Sequence, residues 1–103
     1  MEILIKTEGK LQSFEERSNR FIQAVEGITL GIPDQEIRGT FMTYGRYLVK
    51  YNALEGEEKH TFEQDEINPI LDVLADKSEQ DLKVRDALQY VLNLESELFT
   101  RNS

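Results

Sequence analysis

The chain has no cysteine, no tryptophan, one histidine and only two prolines among its 103 residues. Without cysteine it cannot form a disulfide, a thiolate metal centre or a thiol nucleophile. A single histidine excludes metal sites built from several imidazoles. No apolar run approaches the roughly 18 residues of a membrane span, and residues 1–10 lack the apolar core of a signal peptide. We therefore expect a protein without membrane contact, located in the cytoplasm.

Net negative charge is concentrated in the second half of the chain. Residues 1–51 carry seven acidic and seven basic side chains, whereas residues 52–103 carry thirteen acidic and five basic ones. The net charge of −8 therefore arises entirely from the second half. Such a field repels phosphate backbones and speeds encounter with basic partners. The alternative is a solvated surface that only keeps the protein soluble.

Apolar residues recur at steps of three and four, which predicts an all-α fold. We expect a single acidic helical domain over residues 1–103, folded as a compact bundle of about four helices at 10–28, 33–53, 69–77 and 79–99. Residues 2–6 fit a short extended arm, a strand or a helix extension equally well. The residues predicted to face the core are, helix by helix, Leu11, Phe14, Ser18, Phe21, Val25 and Ile28; Ile37, Phe41, Tyr44, Leu48 and Tyr51; Ile70, Leu71 and Leu74; and Val84, Ala87, Leu88, Val91, Leu94 and Leu98.

Local signals suggest where these helices begin. Pro33 suits the first turn of the second helix. Residues 55–66 are predicted to be mainly an acidic loop, with a short turn or helix over 61–67, because Pro69 would break a helix that Thr61 caps. Asn68 would cap the third helix and Ser78 the fourth. Gly39 and Gly45 weaken the second helix unless they mark close helix packing.

Three apolar residues of the last helix, Tyr90, Leu92 and Phe99, fall outside its core stripe. Such residues indicate either a wider buried face or a surface for a partner. If Leu92 and Phe99 are exposed, they favour self-association, so a homo-oligomer stays open.

The residues offer little support for catalysis or for a cofactor. Glu57 and His60 lie close to further carboxylates, but the calcium-loop pattern fails and a second histidine is missing. Glu63 and Glu66 match the first acidic pair of all-helical nucleotide pyrophosphohydrolases, but the second pair, Glu-x-x-Asp, does not follow. The glycines are dispersed, so no loop is built to cradle phosphate. We expect no enzyme activity, no metal and no cofactor.

Helix-turn-helix DNA binding is the alternative function, because the first half of the chain has no net negative charge to oppose it. The run from Phe21 to Tyr51 predicts a helix, a glycine-containing break and a second helix. A pI of about 4.6 and a long break between the helices argue against nucleic acid. The side chains of the 33–53 helix that would meet DNA are Gln35, Arg38, Thr40, Arg46 and Lys50.

Protein recognition is the function that the composition favours. We expect a non-catalytic module, such as an adaptor, inhibitor, immunity or assembly factor, that binds a basic protein through its acidic half. Carboxylates standing where nucleic-acid phosphates would stand are one version of this interpretation. Tyr47 joins the surface because it lies off the core stripe and tyrosine is common at interfaces. The predicted binding residues are Glu55, Glu57, Glu58, Glu63, Asp65, Glu66, Asp72, Asp76 and Tyr47.

Overall fold

A computed structural model describes residues 13–100, which fold into four helical segments. The helices are α1 (Phe14–Thr29), α2 (Gln35–Ala53), α3 (Gly56–Phe62), α4 (Asn68–Ser78) and α5 (Leu82–Glu95). A first π turn (Glu63–Ile67) joins α3 to α4, and a second π turn (Ser96–Thr100) extends α5. The all-α bundle predicted from the sequence is thus confirmed. The predicted arm at residues 2–6 and the predicted core residue Leu11 lie outside the described residues.

The helices run alternately up and down the bundle. The start of α1 meets the end of the fourth segment, where the Arg17 guanidinium donates to the Leu98 carbonyl oxygen at 2.9 Å. The end of α2 lies beside the end of α5, since Asn52 reaches Glu95. Short connections between consecutive helices favour this antiparallel order. No helix within residues 13–100 has the length and apolar character needed to cross a membrane.

Side-chain caps fix three of the helix starts. Ser13 and Glu16 form a reciprocal capping box at α1, with Ser13 Oγ accepting from the Glu16 N–H at 3.0 Å. Asp34 caps α2, so Pro33 precedes the helix instead of lying in its first turn. The predicted cap at Ser78 is wrong, because its hydroxyl donates to the Ala75 carbonyl oxygen at the end of α4.

Asp81 takes the capping role that was predicted for Ser78. Its Oδ1 accepts from the Lys83 N–H at 2.9 Å, and α5 begins at Leu82 instead of residue 79. An aspartate carboxylate accepts a hydrogen bond from a free N–H of the first helical turn, so Asp81 is a favourable N-cap for α5.

Residues 56–60 differ most from the prediction, because they belong to α3 and not to a loop. The short turn or helix expected over 61–67 is present as the end of α3 and the first π turn. Gly56 starts α3 with a φ of 64°, a left-handed conformation that glycine adopts without a steric penalty. Thr61 lies inside α3 and caps nothing. The helix continues through Pro69 by means of the first π turn, in which the Asn68 N–H donates to the Glu63 carbonyl oxygen.

The predicted helix break and the predicted cap at Asn68 are therefore both wrong. Proline lacks the N–H that an α-helix would need at this position. It is tolerated at the start of α4, where Pro69 occupies the first turn after the π turn.

The core confirms the predicted apolar stripes. Ile28, Tyr51, Ile70, Leu71, Leu94 and Leu98 are partly buried at its edge. Gly45 confirms close helix packing, since an added Cβ would lie 3.4 Å from Val25 of α1, whereas Gly39 faces open space. The buried apolar residues are Phe21, Val25, Ile32, Ile37, Phe41, Tyr44, Leu48, Ile67, Leu74, Val84, Ala87, Leu88 and Val91.

The second π turn explains why Phe99 fell outside the predicted stripe. Its ring lies 5.5 Å from the rings of both Phe14 and Phe21, so it packs on α1. A π turn advances the chain by hydrogen bonds of i to i+5, which changes the direction of the side chains that follow. Tyr90 and Leu92 remain exposed on α5. Phe99 therefore belongs to a wider buried face, while the predicted homo-oligomer stays a prediction.

Candidate functional site

An open groove runs between the end of α2 and the segment formed by α3 and the first π turn. It has a volume of about 490 Å³. Lys50 and Leu54 line the α2 wall, and Phe62 is the apolar residue of the opposite wall. The remaining lining residues on the α3 side are Glu57, Glu58, Thr61, Asp65 and Glu66.

The spacing of the acidic residues explains why they share one wall. Residues 57, 61 and 65 and residues 58, 62 and 66 form two rows with steps of four. Side chains four apart lie on one face of an α-helix, which places residues 57 and 61 together and residues 58 and 62 together within α3. Asp65 and Glu66 of the first π turn line the same side of the groove. Helical structure from Gly56 onward is therefore the condition that turns an acidic stretch of sequence into an acidic wall.

The two walls of the groove differ in charge. Four of the predicted binding residues, Glu57, Glu58, Asp65 and Glu66, are exposed on the α3 wall. The α2 wall contributes one cation, Lys50, whose Nζ lies 5.3 Å from the centre of the Phe62 ring. The groove thus combines an apolar floor, formed by Leu54 and Phe62, with a net negative rim.

Tyr47 helps to place α3 against α2. Its ring is half-buried and lies 5.6 Å from the Phe62 ring. Lys59 adds a second contact between the helices, with its Nζ 4.8 Å from the centre of the Tyr51 ring. Because α3 contains no buried residue, these ring contacts are important for its attachment.

The other predicted acidic residues do not line the groove. Glu55 is exposed immediately before α3, and Asp72 and Asp76 are exposed on α4. Glu63 is half-buried on the opposite face of its segment, near Glu95. The structure therefore divides the predicted acidic surface and brings half of its eight carboxylates into one groove.

A polar cluster around Glu95 was not predicted from the sequence. Its carboxylate accepts a hydrogen bond from Asn52 Nδ2 at 3.0 Å. Burial raises the pKa of Glu95 and the nearby Glu63 carboxylate adds to the rise, while the Asn52 hydrogen bond and the Lys59 ammonium oppose it. The folded protein therefore binds a proton at Glu95 more tightly than the unfolded chain does.

Two tyrosines border this cluster. Burial and the Glu95 carboxylate raise the pKa of Tyr44, and burial with Glu63 and Glu95 raises that of Tyr51. Both phenols therefore remain protonated at neutral pH. Glu63 and Glu95 are 32 positions apart in the chain, so no local sequence pattern predicts that they lie close together.

The described part of the chain brings together no set of side chains suited to bind a metal ion. Within residues 13–100, His, Cys, Asp and Glu side chains form no group of three or more that could hold a metal ion. Glu57 and His60 therefore stand without the further ligands that a typical protein site for zinc requires.

The residues proposed for DNA contact are partly engaged inside the protein. Arg38 Nη1 donates to the carbonyl oxygens of Ile32 and Pro33 at 2.7 and 3.2 Å, holding the connection between α1 and α2. Lys50 lies over Phe62 at the acidic groove. Thr40 donates to the Glu36 carbonyl oxygen within its own helix. Gln35 and Arg46 are exposed on α2.

Comparison with known proteins identifies no family for this chain. No family model, no curated protein and no solved structure matches it. Its function is therefore inferred from the geometry of the groove.

Proposed function

We propose that the protein is a non-catalytic protein–protein interaction module whose acidic groove binds a basic partner. The observation that carries this proposal is the convergence of Glu57, Glu58, Asp65 and Glu66 on one wall of a groove of about 490 Å³. The net charge of −8 strengthens long-range attraction to a basic surface.

The rival proposal, DNA binding through α2, has less support. Arg38 is held by backbone carbonyl groups at 2.7 and 3.2 Å. A guanidinium in this position stabilises the loop before α2 and has fewer N–H groups left for phosphate. The carboxylates beside Lys50 would also repel a phosphate backbone.

Affinity capture with two charge-matched variants tests the proposal. The groove variant carries Glu57→Gln, Glu58→Gln, Asp65→Asn and Glu66→Gln. The control variant carries Asp72→Asn, Asp76→Asn, Glu79→Gln and Asp86→Asn, all at exposed positions outside the groove. Both variants lose four negative charges, and circular dichroism checks that both remain helical.

We expect the wild type and the control variant, but not the groove variant, to capture a protein partner. This capture should survive nuclease treatment. Raised salt should release it, because screening weakens exposed charge pairs. Equal capture by both variants would refute the groove as the binding site. Capture that disappears after nuclease treatment and after Arg38→Ala with Arg46→Ala would favour DNA binding instead.

A further inference from the structure

The groove contains an apolar floor that charge attraction alone would not need. Leu54 and Phe62 are both half-buried and line it from opposite walls. A surface that only imitates phosphates requires carboxylates at suitable distances and no apolar contact between them. The combination of floor and rim therefore selects a partner that is both basic and apolar.

The positions of the carboxylates set the dimensions of that partner. Phe62 lies four residues after Glu58 and four residues before Glu66. Eight residues of continuous α-helix span about 12 Å at a rise of about 1.5 Å per residue, and the first π turn makes the separation between Glu58 and Glu66 shorter than this. The apolar contact thus lies midway between two pairs of carboxylates, one at each end of the wall.

Lys50 gives the groove a direction across its width. Its side chain extends from α2 towards the opposite wall, with the ammonium group 5.3 Å from the centre of the Phe62 ring. Cations of a partner are therefore repelled near this ammonium group and attracted to the carboxylates of the α3 wall. A bound segment would place its basic side chains over α3 and its apolar side chain between Leu54 and Phe62.

On this basis, and resting on the proposed function, we infer that the groove binds a short amphipathic basic segment of a partner protein. The segment carries one large apolar side chain with a Lys or Arg on each side of it, and these two basic residues are at most about 12 Å apart. A helix meets this requirement with basic residues at i and i+8 and the apolar residue at i+4. Such recognition of an amphipathic helix in a groove recurs among protein–protein complexes.

Three synthetic helical peptides test the inference by fluorescence anisotropy. The first carries paired lysines at each end of one helical face and a phenylalanine midway between them. The second has alanine in place of the phenylalanine, and the third contains the residues of the first in an order that removes the common face. All three have the same charge, so differences between them do not reflect net charge.

We expect the phenylalanine peptide to bind at least about tenfold more tightly than the alanine peptide, as burial of an aromatic side chain allows. The scrambled peptide should also bind at least about tenfold more weakly. Binding of the first peptide should be lost in the groove variant and kept in the control variant. Because the apolar change is made in the peptide, the folding of the protein does not influence the comparison.

Other outcomes would overturn the inference and separate it from the proposed function. Equal binding of the three peptides, or binding of none, would refute an apolar anchor. The proposed function would survive this result if affinity capture still distinguished the groove and control variants, and it would fail if capture did not. A dimer in sedimentation equilibrium that only the groove variant abolishes would identify a second copy as the occupant and refute the basic segment.

Discussion

Alanine substitutions at Gly39 and Gly56 should change stability in opposite directions. Gly39 lies in the interior of α2 and is exposed, and no atom lies within 4 Å of the Cβ that alanine would add. Gly56 begins α3 with a φ of 64°. Alanine favours a helix interior over glycine by about 1 kcal/mol, whereas a left-handed conformation costs a residue with a Cβ about 1–2 kcal/mol.

Thermal unfolding followed by circular dichroism would measure both effects. One kcal/mol changes the melting temperature of a domain of this size by roughly 4–8 °C. We therefore expect Gly39→Ala to raise the melting temperature by about 4–8 °C and Gly56→Ala to lower it by at least that amount. Gly45→Ala is the matched control within α2, because its Cβ would contact Val25 at 3.4 Å and Ile22 at 3.6 Å.

The control should also raise the melting temperature, since the gain in helix propensity is the same and the added Cβ meets Val25 and Ile22 at ordinary van der Waals distances. A lower melting temperature for Gly39→Ala would refute the open helical surface assigned to this position. A higher one for Gly56→Ala would refute the left-handed start of α3. The second result would also remove the basis for the acidic groove, because the groove requires residues 57–66 to be helical.

Three further predictions concern the core and the polar cluster. Because the folded state holds a proton on Glu95 more tightly than the unfolded chain does, the stability attributable to this group rises as pH falls through its raised pKa. Glu95→Gln should therefore raise the melting temperature at pH 7 and make the melting temperature less dependent on pH. The control Glu97→Gln, at an exposed position, should do neither. Phe99→Ala should cost about 2 kcal/mol in denaturant unfolding, below the value for a fully buried ring, and exposed Tyr90→Ala less than about 0.5 kcal/mol. Ser18 Oγ is buried without a hydrogen-bond partner among residues 13–100, so Ser18→Ala should stabilise the protein by about 1 kcal/mol, and a loss of stability would show that the hydroxyl is satisfied.

The stripes predicted from apolar spacing match the core because each stripe is a local property of one helix. Phe21 and Val25 on α1 and Phe41 and Leu48 on α2 are buried as expected. The largest error is the loop expected before Thr61, because Gly56–Phe62 form an α-helix without a buried residue, which leaves no apolar stripe to read in the sequence. Phe99, which lies off the predicted stripe, packs on α1 after the second π turn, whose i to i+5 hydrogen bonds a rule of 3.6 residues per turn does not describe.

The candidate site was predictable in its residue types and only partly in its membership. The acidic character of residues 55–66 is visible in the sequence, and four of these side chains line the groove. Lys50 and Leu54 could not be assigned to the same site, because contact between α2 and α3 depends on how the helices pack. Asp72 and Asp76 were included on charge alone, which carries no information about the direction in which a side chain points.

The amino-acid sequence by itself determined the helical fold, the apolar faces that form the core and the accumulation of negative charge after residue 51. These properties follow from the order of residues along single helices. Tertiary structure decided that Asn52 would meet Glu95, that Phe99 would pack on α1, and that the acidic wall of α3 would stand opposite Lys50 and Leu54. The reason is physical: periodicity fixes which face of a helix is buried, but the partners of that face depend on the packing of all the helices and on the π turns within them.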